Sequence, residues 1–149
     1  MGDNGTEAQK NVAQLLVKLV EGADRISVMA NSRWTEKAWQ LMRCNDPYTS
    51  ELSRLLHLGI LRDSSKCTLV SSHEVPQLSE ELVAQTPPSD LYLVQTYKTT
   101  NADVLATSDQ VLIKRLVPFP EIHTVERADF LRTFAGCRTV AEYADVTKP

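Results

Sequence analysis

The sequence predicts an α/β fold, a three-layer sandwich with a central, mainly parallel sheet. Three observations carry that expectation. Four short β-branched or apolar runs, at 25–30, 66–71, 103–107 and 122–125, have the length and composition of buried strands. Segments with apolar residues at helical spacing separate them, and the connections are short. Strands linked through helices lie parallel, because a tight turn cannot join parallel neighbours.

Taken in order, Thr6 followed by Gln9 has the form of a capping box. Val12, Leu15, Leu16, Leu19 and Val20 then form one apolar stripe, so a helix is expected from about Glu7 to Glu21, ended by Gly22. After the first strand, Asn31 or Ser32 caps a second helix that turns Trp34, Ala38, Leu41 and Met42 toward the core. Asp46-Pro47 restarts the chain as an N-cap with proline at the first helical position, and this third helix reaches about Leu58. A short helix is expected over Leu78–Gln85, broken by Pro87-Pro88. Ser89 caps the next, from Asp90 to about Thr99, with Leu91, Val94 and the ring of Tyr97 or Leu93 inward. Helices over Gln110–Leu116 and Glu126–Ala135 follow, with Gly136 as the C-cap of the last.

With 149 residues, 42% of them apolar, the chain is expected to bury one core in a single domain over residues 1–136, followed by a tail at 137–149. No apolar run approaches the length of a membrane span, and no secretory leader is recognisable, so a soluble cytoplasmic protein is expected. Cys44, Cys67 and Cys137 are too far apart for a CxxC knuckle and odd in number, which points to reduced thiols. A net charge of −3 argues against a protein that coats nucleic acid through a broad basic surface. It leaves room for an enzyme whose acids gather metal, since bound cations reverse the local potential.

Ligands of open parallel sheets bind beyond the carboxyl ends of the strands, and acids stand there in this sequence. Asp109 follows a strand, Asp90 opens a helix, Glu36 lies early in the helix after another strand, and Asp3 precedes the first helix. Oxygen donors of this kind suit hard cations such as Mg²⁺ or Mn²⁺. Each acid also has a plain structural role open to it: a cap, a charge favouring a helix dipole, or a solvated first-turn side chain. Asp103 opens a strand and is expected to serve a turn. His57, His73 and His123 lack the spacing of a zinc site or a triad. Trp34 and Trp39 are expected in core or dimer packing, with base stacking as the alternative.

The stretch from Ser89 to Asp109 resembles the PIN domain, with an acid opening a helix, then a strand, then a Thr-x-Asp turn, the two acids 19 residues apart. Glu36 in Arg33-Trp-Thr-Glu-Lys-Ala-Trp39 is similar to the family's glutamate on the helix after the second strand. The segment Ile122–Leu131 resembles the final strand and helix, so the likeness spans nearly the whole chain. Two features depart from the pattern. The usual first strand with its Asp-x-Asn turn is absent, so Asp3 matches by spacing alone, and Tyr97 stands where a small residue is usual.

The resemblance implies a metal-dependent endoribonuclease that hydrolyses RNA, often the toxin of a toxin–antitoxin pair. It implies Asp3, Glu36, Asp90 and Asp109 as catalytic metal-binding residues, Mg²⁺ or Mn²⁺ as cofactor, and Thr107 or Ser108 as support for a carboxylate or a metal water. RNA is then the substrate, and an antitoxin protein and a second copy of the chain are the implied partners. The alternative from another class is a PIN-like scaffold without catalysis that binds nucleic acid or protein. A receiver domain fits less well, lacking the acidic pair after the first strand and the lysine after the last.

Overall fold

The computed structural model describes residues 2–148, with side chains from Glu7 onward. The chain divides into two compact units, Met1–Leu69 and Val70–Pro149. It is an α/β protein, mostly helical, whose strands pair as two small parallel two-stranded sheets. No helix among the described residues is long and apolar enough to cross a membrane.

In the first unit, α1 runs over Gly2–Glu21, so it begins well before Glu7 and Thr6 does not start it. The side chains of Asp3 and Thr6 lie outside the described residues. Leu16 and Leu19 are buried against Ile60, with Val12, Leu15 and Val20 packed around them, so the apolar stripe seen in the sequence is the stripe that packs. Gly22 follows the last helical residue: its amide still donates to the Lys18 carbonyl at 2.9 Å, and a Cβ there would stand only 2.8 Å from that oxygen. Strand β1 (Ile26–Met29) leads through Asn31, which takes a left-handed φ of 56°, to α2 (Arg33–Leu41). The Ser32 hydroxyl caps α2 by accepting from the Thr35 amide. Helix α3 (Pro47–Leu56) is capped by Asp46 as the sequence implied, and then widens into a π-helical turn over His57–Leu61. Here α1 approaches closely, since a Cβ on Gly59 would lie 3.1 Å from Val20 Cγ2.

Strand β2 (Cys67–Val70) pairs with β1. Its entry is fixed by Arg25, whose guanidinium donates to the carbonyls of Ser64 and Ser65 at 2.7 and 2.8 Å and to Thr68 Oγ1. Lys66 Nζ adds a bond to the Gly22 carbonyl.

In the second unit, α4 (Glu80–Gln85) starts two residues later than expected because Ser79 supplies the cap. Pro88–Asp90 forms a 3₁₀ turn, and α5 (Leu91–Thr100) follows with no side-chain cap, so Ser89 does not play the role expected of it. Asn101, at φ 51°, closes α5 in the left-handed region. Strands β3 (Leu105–Thr107) and β4 (Thr124–Glu126) pair in parallel, with Thr107 opposite Glu126, and helices α6 (Gln110–Leu116) and α7 (Arg127–Phe134) follow them. Gly136 does not take a left-handed conformation, so the C-cap expected there is not formed. The core gathers Leu82, Val94, Tyr97, Leu112, Leu116 and Ile122.

Residues 137–149 were expected as a tail, yet Val140–Thr147 forms a helix, α8, capped by Thr139. Tyr143 anchors it, meeting Phe130 edge-on at 4.9 Å between ring centroids, while Phe130 and Phe134 stack at 5.1 Å. Its apolar cues are one tyrosine, two alanines and two valines at its ends, a short stripe that does not stand out in the sequence.

Candidate functional site

The acids singled out in the sequence fall in both units. Glu36 lies in the first turn of α2, in the first unit, where it favours the helix dipole. It is exposed, and its carboxylate accepts no hydrogen bond within the described residues. Trp34 and Leu41, expected in the core, are 36% and 40% exposed, and only Ala38 of α2 is buried.

Asp90 and Asp109 belong to the second unit. Asp90 ends the 3₁₀ turn at φ −111° and ψ 1°, in the sparsely populated bridge region, and its amide donates to the Pro87 carbonyl at 2.9 Å. Asp109 sits two residues beyond β3 and caps α6: its Oδ1 accepts from the amides of Val111 and Leu112 at 2.9 and 3.2 Å. The Asp109 amide in turn donates to Thr107 Oγ1 at 3.1 Å, so the Thr-x-Asp turn is held by its own hydroxyl. Only one carboxylate oxygen is used this way. Oδ2 takes no hydrogen bond within the described residues and is open to a further donor or a cation.

One acid was not singled out in the sequence. Glu126 is the last residue of β4, directly across from Thr107, and its Oε2 accepts from the Asp129 amide at 3.0 Å to cap α7. Two carboxylates therefore close the two parallel strands at the same edge, each spending one oxygen on the helix that follows. The visible signal was an acid placed straight after a β-branched run. Among the described residues, no three His, Cys, Asp or Glu side chains are gathered as a metal-binding group.

Tyr97 is explained by its hydroxyl. It donates to the Glu121 carbonyl at 3.3 Å and accepts from the His123 amide at 3.0 Å, tying α5 to the chain entering β4. His123 Nε2 bonds Thr147 Oγ1 at 2.9 Å. The Thr147 proton is already given to the Tyr143 carbonyl, so His123 is the donor and carries its proton on Nε2. Burial, and then the nearby Lys148, hold the His123 pKa below the ordinary 6.5.

His57 is buried, with Nε2 2.9 Å from the Ala38 carbonyl, and its ring lies under the indole of Trp39 at 4.5 Å between centroids. Cys67 is buried and its thiol is pushed up in pKa by that burial. An open apolar groove in the second unit is lined by Val75, Leu78, Val83, Ala84 and Leu91. No protein-family model, no curated protein and no solved structure matches the chain.

Proposed function

We propose that the chain is a PIN-like, metal-dependent endoribonuclease, with the parallel strands forming part of the central sheet of a three-layer sandwich. The observation that carries this is Asp109: it stands on the turn after a parallel strand, held by Thr107, with one oxygen committed to α6 and the other accepting no hydrogen bond within the described residues. Ligands of such sheets bind at this edge. The donor chemistry at this edge fits a hard cation, because Asp109 Oδ2 is an anionic oxygen that accepts no hydrogen bond within the described residues. Glu36, Asp90 and Asp3 are the further ligands that the family resemblance implies.

When bound, Mg²⁺ or Mn²⁺ would supply a water of lowered pKa and neutralise charge on the phosphate. The protein's part is to hold the acceptors. Thr107 fixes the backbone of Asp109, and the α6 amides fix its carboxylate plane. RNA is the substrate on this reading, the compartment is the cytoplasm, and an antitoxin protein and a second copy of the chain are its partners.

The test is cleavage of single-stranded RNA with Mg²⁺ or Mn²⁺ and with EDTA, for the wild type, Asp109→Asn and Glu36→Gln. Asparagine still caps a helix, so Asp109→Asn should keep the melting temperature while cleavage falls to background. A folded Asp109→Asn protein that cuts at the wild-type rate would sink the proposal. The second reading is a scaffold without catalysis, favoured by the use of Asp109 Oδ1 as a cap. Absence of cleavage by the wild type under every metal condition would select it.

A further inference from the structure

We infer that the exposed face of α2 is a stacking platform for single-stranded nucleic acid. Both tryptophans of the chain lie on this nine-residue helix. Trp39 is 50% exposed, an unusual state for so large an apolar side chain. It is also backed: His57 lies beneath it at 4.5 Å and is itself fixed by the Ala38 carbonyl, so the indole is presented in one orientation. A ring held from below with half its surface free can take a base without first paying to order itself.

Charge decides the occupant. Between Arg33 and Arg43 the chain carries Arg33, Lys37 and Arg43 against the single acid Glu36. All three cations are exposed, and none forms an ion pair within the described residues. At 100° per residue, Arg33, Lys37, Leu41 and Trp34 follow one another around the solvent side of the helix, with Gln40 and Glu36 between Arg33 and Trp39 on its other flank. Cations between two indoles match a strand that alternates phosphates with bases, which is how proteins hold single strands without reading sequence. A cationic helix face is a poor match for a second copy of itself, whose α2 would bring the same charges.

The inference deepens the nuclease reading, since Glu36 lies on the same face, but it concerns binding and is measured without metal, so the two fail separately. Because both indoles are on α2, intrinsic fluorescence reports on this face alone. The full chain in EDTA is titrated with a 12-nucleotide single-stranded RNA of mixed sequence and with DNA of the same sequence. Saturable quenching by either oligonucleotide is expected. Trp39→Ala should weaken binding roughly tenfold, while Trp39→Phe, which keeps a ring face, should retain most of it. Arg33→Ala combined with Lys37→Ala should weaken binding and lower the slope of log affinity on log salt by about 1.4. Far-UV circular dichroism checks that each variant is folded. Binding that leaves the fluorescence unchanged, or that is indifferent to Trp39→Ala, would overturn the inference. So would fluorescence that shifts with protein concentration and not with oligonucleotide, which would make this face a contact between copies.

Discussion

Glu36 and Asp109 both follow a strand into a helix, yet the two units use them in opposite ways. In the first unit the cap of α2 is Ser32, and the carboxylate of Glu36 one turn later accepts no hydrogen bond within the described residues. In the second unit the acid is itself the cap, and two amides of α6 depend on it. A carboxylate that holds up a helix cannot be judged by deleting it, because lost activity and lost structure arrive together. One with no such duty can be. Glu36 is therefore the cleaner probe of chemistry, and Asp109 needs an isosteric change to be probed at all.

The strongest way to break the comparison is to weaken each unit from within. Ile60 in the first and Leu112 in the second are fully buried, and truncating either to alanine should cost about 2–5 kcal/mol. Hydrogen exchange is expected to show Ile60→Ala losing protection within residues 2–69 and Leu112→Ala within 70–148. Equal losses throughout the chain from either variant would mean that the division is geometric and not energetic.

A smaller effect separates the two acids. Asp109→Ala should cost about 1 kcal/mol, with fraying of the first turn of α6, since two amides lose their acceptor. Glu36→Ala should stay within about 0.5 kcal/mol. Thermal melts of the pair decide it, and equal destabilisation would show that Glu36 has structural work not visible in its contacts.

The smallest effect is in acid. The His123 pKa lies below 6.5, chiefly through burial, so its contribution to stability is present above that value and is lost as pH falls through the folded pKa. In the first unit, Asp63 is held below 3.8 by the Ser65 hydroxyl and then the Ser65 amide, so its contribution persists until much lower pH. Exchange measured against pH should show the second unit loosening first, and His123→Gln should remove that early step. Simultaneous loosening of both units near neutrality would contradict the assignment.

Much of this was legible in the sequence. Local signals announced themselves: Asp46-Pro47 starting α3, the heptad-like stripe of α1, Asp109 as a cap. The ends of elements were less visible where two residues competed, as with Ser79 and Leu78, or where a 3₁₀ turn displaced Ser89. Exposure of α2 could not be read, because a stripe shows which residues can be buried, and neighbours decide whether they are. Leu41 and Trp34 had the right period, yet they stay 40% and 36% exposed. The candidate site was legible as separate acids; that Oδ1 of Asp109 is spent and Oδ2 is not belongs to geometry alone. Glu126 went unmarked because its register opposite Thr107 is a property of the pairing.

Tyr97 has a wider consequence. With one oxygen it performs the office of a neighbouring peptide group, donating on one side and accepting on the other where β4 begins. Phenylalanine has the same shape and could not do this, so at this position the usual interchange of the two aromatics is forbidden by two backbone groups elsewhere in the chain. Tyr97 and the Glu121–His123 segment thus act as one structural unit. A designer who grafts this strand must bring the tyrosine with it.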